Sequence, residues 1–198
     1  MRESKLERRT NETEINLSVR LDDASPSTIE TGIGFFDHML TLMSFQALMC
    51  INITCTGDLR VDWHHTVEDI GIVLGRALDQ ALGDRAGITR YGSCMLPMDE
   101  TLAIIALDIS GRAYLGWEAE IPASRVGDFD VELVREFCQA FCRSLGLTLH
   151  VRLLTGFNTH HILEAIFKGL GRALRQAVTV DSARAGKIPS SKGMLKEK

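Results

Sequence analysis

Residues 64–82, HHTVEDIGIVLGRALDQAL, return at 160–178 as HHILEAIFKGLGRALRQAV, with 11 of 19 aligned positions identical. In a chain of 198 residues with only six histidines, that recurrence at an offset of 96 marks an internal duplication. The repeat divides the chain near 1–93 and 94–185, leaving 186–198 as a C-terminal loop and tail on one compact domain. In the first copy Ile70, Val73, Leu74, Ala77, Leu78, Ala81 and Leu82 make one apolar stripe at helical spacing. In the second, Ile166, Leu170, Ala173, Leu174, Ala177 and Val178 repeat it. Asp62 and Asn158 stand at matching places upstream as N-cap types. Outward from the helices, Ile15–Leu21, Cys50–Cys55, Leu102–Asp108 and Leu147–Leu153 read as strands. Ala113–Glu120 is expected to pair with Leu102–Asp108 through a turn at Ser110-Gly111. Helical patterns also cover 36–47 and 131–145. The expected fold class is therefore α+β, an internal duplication of a half-domain, each half a small, about four-stranded sheet with two helices on one face.

Composition narrows the possible partners. The 22 Lys+Arg against 26 Asp+Glu give a net charge of −4, which argues against a general nucleic-acid or anionic-membrane surface. No apolar run reaches the length of a membrane span, and MRESKLERRTNETE carries no apolar signal segment, so a cytoplasmic location is expected. The odd set of five cysteines has no C-x-x-C pair and argues against a disulfide framework. Cys138 and Cys142 would share a helix face as a possible thiolate pair, but Phe137, Phe141 and Leu145 around them favour buried, inert thiols.

The histidines concentrate the chemistry. Adjacent His64 and His65 point about 100° apart on a helix and suit two different metals, while Glu68 lies within reach of either. His160, His161 and Glu164 repeat the pattern. Imidazole with carboxylate is a ligand set for Mn²⁺, Fe²⁺ or Zn²⁺, and the duplicated H-H-x-x-E offers six ligands about a pseudo-twofold axis, within one chain or between subunits. His38, 26 residues before His64, and Glu136, 24 before His160, are further candidates from the preceding helices. A histidine alone is more often structural. Here the polar faces of the two copies diverged, as at Asp79 and Arg175, while His and Glu did not. His150, in an alternating apolar strand, reads as structural.

With RRTNET at 8–13, TGIGFFDHML at 31–40, DWHHTVEDIGIVLG at 62–75, GITRYG at 87–92, PMDE at 97–100, DISGR at 108–112, TLH at 148–150, GFNTHHILEAIFK at 156–168 and PSSKG at 189–193, the chain resembles the imidazoleglycerol-phosphate dehydratases of histidine biosynthesis. The resemblance implies a hydro-lyase that converts D-erythro-imidazoleglycerol phosphate to imidazole-acetol phosphate through a metal-bound imidazolate and a diazafulvene-like intermediate. It further implies a homo-24-mer with intersubunit active sites, each holding two Mn²⁺. One ion is then held by His38, His65, His160 and Glu164. The other is held by His64, Glu68, His161 and, where many relatives have His, Glu136. Glu12 matches the acid–base carboxylate, with Glu68 and Glu164 as further candidates for the catalytic set. Arg90, Arg112, Lys168, Ser190, Ser191 and Lys192 match substrate contacts, and the 189–193 loop reads as a lid. Gln46 replaces a common His, and LDDASPS at 21–27 lacks the glycines usual in that turn. Two other readings use the same residues: a dinuclear-metal hydrolase, and a non-catalytic metal-binding oligomer.

Overall fold

The computed structural model describes residues 1–195; the last three residues of the expected tail lie outside the described residues. The first half runs β1 (Glu3–Arg9), β2 (Thr13–Arg20), β3 (Ile29–Glu30), α1 (Gly34–Ala47), β4 (Cys50–Gly57) and α2 (His64–Leu82). The second runs β5 (Tyr91–Met98), β6 (Thr101–Asp108), β7 (Tyr114–Glu118), a short ribbon of β8 (Arg125–Val126) and β9 (Phe129–Asp130), α3 (Glu132–Leu145), β10 (Thr148–Thr155) and α4 (Thr159–Val178). β5 opens at Tyr91, ahead of the 93/94 boundary expected from the repeat offset.

The strand orders are β1-β2-β4-β3 and β5-β6-β10-β7, the same order twice. In each sheet only the last pair is parallel, β3 with β4 and β7 with β10. This corrects the expected pairing of 113–120 with 102–108. Gly111 N–H donates to Gly146 O at 2.9 Å and Tyr114 N–H to Leu147 O at 3.0 Å, so the chain leaving β6 crosses the end of β10 instead of turning back. A parallel partner reached through a helix is the strand–helix–strand crossover, here β7–α3–β10 mirroring β3–α1–β4. The strands β1 and β5 carry weaker apolar alternation and were not expected from the pattern. In β1 no residue is fully buried along its alternating ESKLERR.

Alternate strand residues (Ile15, Leu17 and Val19 on β2; Ala103, Ile105 and Leu107 on β6; Leu149 and Val151 on β10) are buried against the helices. The halves interlock: α2 lies on β1 and β2 and against α3, while α4 lies on β5 and β6 and against α1. Repeat-related glycines make both close approaches. A Cβ on Gly171 would stand 2.2 Å from Met43 O, and one on Gly75 would stand 2.9 Å from Phe141 O. That contact aligns Met43 with Phe141 and, five residues earlier, His38 with Glu136, the equivalence the spacing had suggested. Arg85, 1% exposed, ties the seam by donating to Leu145 O at 2.6 Å, Asp79 Oδ1 at 2.7 Å and Ile109 O at 3.3 Å.

Candidate active site

Both H-H pairs open a helix. Asn158 is the N-cap of α4 and accepts from His160 and His161 N–H at 3.0 and 3.4 Å. On α2 the N-cap is Trp63, so Asp62 lies one residue before the expected position, although its Oδ1 still accepts from His64 N–H at 2.8 Å. The rings of each pair diverge as helical geometry requires, with interplanar angles of 89° for His64 and His65 and 82° for His160 and His161.

His38 from α1 meets the second pair. His38 Nε2 and His160 Nε2 lie 3.0 and 3.2 Å from the same atom, Glu164 Oε1, and the three ligand atoms fall within 4.8 Å of one another. Among the described residues this is the one His/Cys/Asp/Glu group drawn together so tightly. Glu164 is buried, and Lys168 donates to its other oxygen. Burial alone would raise the Glu164 carboxyl, but Lys168, His38 and His160 outweigh it and hold the group at about 2. The matching set on α2 is looser: His64 Nε2 is 3.8 Å from Glu68 Oε2, and Glu136 on α3 does not close with them into a comparable group.

The second histidine of each pair is held from behind. His65 Nδ1 lies 2.9 Å from Asp58 Oδ2 and His161 Nδ1 lies 2.8 Å from Glu100 Oε2. The hydrogen bond to Asp58 raises the His65 pKa and the one to Glu100 raises that of His161, each against partial burial. Glu100 is in turn pulled down to about 2 by His161 and by the N–H of Asn158. A carboxylate on one ring nitrogen fixes the ring and presents the other, which is how metal-ligating histidines are generally held. The presented Nε2 of His65 faces Glu12 Oε1 at 3.7 Å, and that of His161 faces Asp99 Oδ2 at 3.8 Å. Reading the sequence missed Asp58 and Glu100 as anchors. PMDE stands at 97–100, but an anchor supplied by a turn has no helical spacing to betray it. The donor set of imidazoles and carboxylates suits divalent ions of the Mn²⁺ kind.

The expected phosphate contacts gather elsewhere. Arg90, Arg112, Ser190, Ser191 and Lys192 line a cavity of about 860 Å³, joined by Ser110, Ser144 and Arg143, which the sequence reading had not singled out. Arg90 grips Asp108 with two hydrogen bonds of 2.7 and 3.0 Å and donates a third, 2.9 Å, to Pro189 O, tying the 189–193 segment to the cavity wall. Lys168 and Gln46 instead share a cavity of about 570 Å³ with Arg172 and Gln176. His150 is exposed on the outer sheet face, its ring 5.5 Å from Tyr114 and over Gly116, where any Cβ would strike the imidazole at 2.4 Å.

Comparison with known proteins assigns the chain to a family. The sequence model of the imidazoleglycerol-phosphate dehydratases matches residues 31–174. The imidazoleglycerol-phosphate dehydratase of Oceanobacillus iheyensis is 56% identical over 195 residues, covering 98% of this chain and 100% of its own. That of Xanthobacter autotrophicus is 57% identical, covering 98% and 99%. Among solved structures, the Staphylococcus aureus enzyme superimposes with a TM-score of 0.83 at 45% identity, covering 90% of this chain and 99% of its own. The Pyrococcus furiosus enzyme, solved in complex with (S)-C348, gives 0.83 at 39%, covering 96% and 100%. The chain is thus an enzyme, a hydro-lyase, with the fold of these relatives. The chain belongs to the imidazoleglycerol-phosphate dehydratase family and serves histidine biosynthesis.

Proposed function

We propose that the dehydration runs at a dinuclear metal site assembled between subunits. The observation that carries this is distance. Arg90 N–H donates to Ala177 O, so the phosphate cavity lies at the C-terminal end of α4, whereas His160 opens that helix. Seventeen residues of helix separate them by about 25 Å. Arg2 likewise touches Val178 O, and ten residues of extended chain put Glu12 about 30 Å further along the hairpin. An imidazole ring carrying a three-carbon phosphate chain spans roughly 10 Å, so one chain cannot supply both ends of a site. A closed homo-oligomer, the 24-mer implied by the resemblance, solves this by bringing one subunit's cavity to another's histidines.

His38, His160 and Glu164 would hold one ion with His65 of a neighbouring copy. His64, Glu68, His161 and Glu136 would hold the other. Two Mn²⁺ ions held by these residues would supply Lewis acidity toward an imidazole substrate and make a poorly acidic proton easier to remove. Arg90, Arg112, Ser190, Ser191 and Lys192 clamp the phosphate, guanidinium groups offering paired donors and lysine a point charge. Gln46 and Lys168, beside the His38 group, contact the rest of the substrate. Glu12, exposed and held only loosely against His65, carries the proton. The hydroxyl next to the ring departs as water, the neighbouring carbon gives up its hydrogen, and the resulting enol takes a proton to become the ketone. The 189–193 segment closes over the site and excludes water.

The test is formation of imidazole-acetol phosphate by chelated protein with and without added Mn²⁺. Turnover lost on chelation and restored by Mn²⁺ is expected; full turnover after chelation would overturn the metal role. Metal-dependent release of inorganic phosphate in place of the ketone would point to a hydrolase. A Glu12→Gln variant is expected to keep its metal and lose turnover.

A further inference from the structure

We infer that Asp69, gripping Arg8 and Thr13 from inside α2, is a positioning residue that holds the β1–β2 hairpin so that Glu12 stands free before His65. The inference rests on the reading of Glu12 as the proton carrier.

The duplication supplies its own control. Thr10 N–H donates to Thr13 O at 2.9 Å, so the β1–β2 hairpin turns through Asn11-Glu12, as the β5–β6 hairpin turns through Asp99-Glu100 between the paired Met98 and Thr101. Glu12 and Glu100 therefore occupy equivalent places, each beside the second histidine of the pair on its own long helix. They are used in opposite ways. Glu100 is itself the tether between its hairpin and α4: Oε1 accepts from Asn158 N–H at 2.9 Å and Oε2 meets His161 Nδ1 at 2.8 Å. A carboxylate so engaged cannot swing or exchange protons with a substrate.

In the first half both duties pass to other residues. Asp58 takes the back of the His65 ring, and Asp58 N–H donates to Glu12 O at 3.0 Å, using the backbone of Glu12 and leaving its carboxylate. The hairpin is fastened one turn deeper. Asp69, 6% exposed, accepts from the Thr13 hydroxyl at 2.5 Å and from Arg8 on the same oxygen, and Thr13 is itself 3% exposed. Thr10 Oγ1 accepts from the N–H of Glu12 and Thr13 at 3.1 and 3.0 Å, making the turn rigid between those anchors. At the equivalent places the second half carries Ala165 for Asp69 and Leu96 for Arg8, which with Ala103 form a small separate apolar cluster. The fold accepts an apolar pair here. The ionic clamp appears only in the half whose turn carboxylate is left free.

The other half also dictates the variant. Arg8→Leu with Asp69→Ala installs the apolar pair that the β5–α4 junction already tolerates. Compared with the parent holoenzyme, kcat is expected to fall about 10- to 100-fold, the scale of a 1 Å misplacement of a reacting group. KM, bound metal per chain and assembly size should stay near parental. Adding Glu12→Gln to this pair should cost no more than Glu12→Gln alone, because both remove the same proton transfer. Asp69→Asn keeps an acceptor for the Thr13 hydroxyl and should lie between; it also serves as the test if the double variant does not assemble. Parental kcat in the assembled variants would overturn the clamp. So would losses that multiply with Glu12→Gln, since these would mean a general structural defect. Parental kcat in Glu12→Gln itself would instead overturn the reading of Glu12.

Discussion

Cys138 and Cys142 sit one turn apart on α3, both 1% exposed, and burial pushes the Cys142 thiol up to about 12 and Cys138 well above its ordinary value. Only the thiolate reacts or ligates, so both should resist a thiol reagent at neutral pH in the native protein and react once it is unfolded. Peptide mapping after alkylation reads this directly; labelling of either in the native state would contradict their burial. Arg112 is exposed at the cavity rim, with Asp108 3.9 Å away as a weak partner. Arg112→Ala should raise KM by about tenfold or more with a smaller change in kcat, since a charge-assisted hydrogen bond contributes about 1.5–3 kcal/mol. The H-H-x-x-E repeats were legible because a helix imposes a period on the side chains it presents together. Asp58, Glu100 and Asp69 were not, because two come from turns and the third looks in sequence like any charged residue beside Glu68.

Among the elements, the two long helices owe their close approaches to glycine at 75 and 171. Alanine at 171 would drive Cβ to 2.2 Å from the backbone Met43 O, whereas at 75 the nearest backbone atom, Phe141 O, stands at 2.9 Å and the nearest atom of all, Ser144 Cβ, at 2.7 Å. Gly171→Ala should therefore cost more stability than Gly75→Ala, by about 1–3 kcal/mol or beyond, read as a lowered denaturation midpoint at unchanged slope. Equal costs would mean that α1 gives way over the larger overlap as easily as α3 does over the smaller one. The helices and central strands were legible from apolar periodicity. The position of β7 was not: a strand following a Ser-Gly pair reads as a hairpin, and only the need of β10 for a parallel neighbour through α3 places it correctly. The alternation of β1, charged along its outer positions, hid it for the same reason that it lies at a sheet edge.

For the whole molecule, the separation of Glu12 from the cavity lined by Arg90, Arg112 and Lys192 makes a quantitative prediction. Co-expressed Glu12→Gln and Lys192→Ala chains, each inactive alone, should recover activity near a quarter of the parental value. Random mixing leaves roughly one site in four with both native residues when they come from different subunits. No recovery would place both residues in one subunit's site. Arg85 is the other molecule-wide feature, a buried cation shared by α2, α3 and the end of β6. Arg85→Ala should destabilise by about 1–3 kcal/mol, the usual cost of leaving buried acceptors such as Leu145 O without their donor, read as a lowered denaturation midpoint.

The interlocking of the halves sets a timetable for making the protein. α2 finds its helical neighbour in α3, and α1 in α4, so the apolar flanks of the first two helices have nothing to close on while the first half alone has left the ribosome. At about 5–20 residues per second, the second half follows over roughly 5–20 s. Through that interval Gly71 and Gly75 of α2 would lack the α3 residues Phe137, Ala140 and Ser144 that close on them, and Met43 of α1 would lack Gly171. A chain stopped near residue 93 should accordingly aggregate or stay bound to a chaperone, and supplying the second half in trans should rescue it. The duplicated gene thus yields a protein whose first half waits, unfinished, for its own copy to be translated.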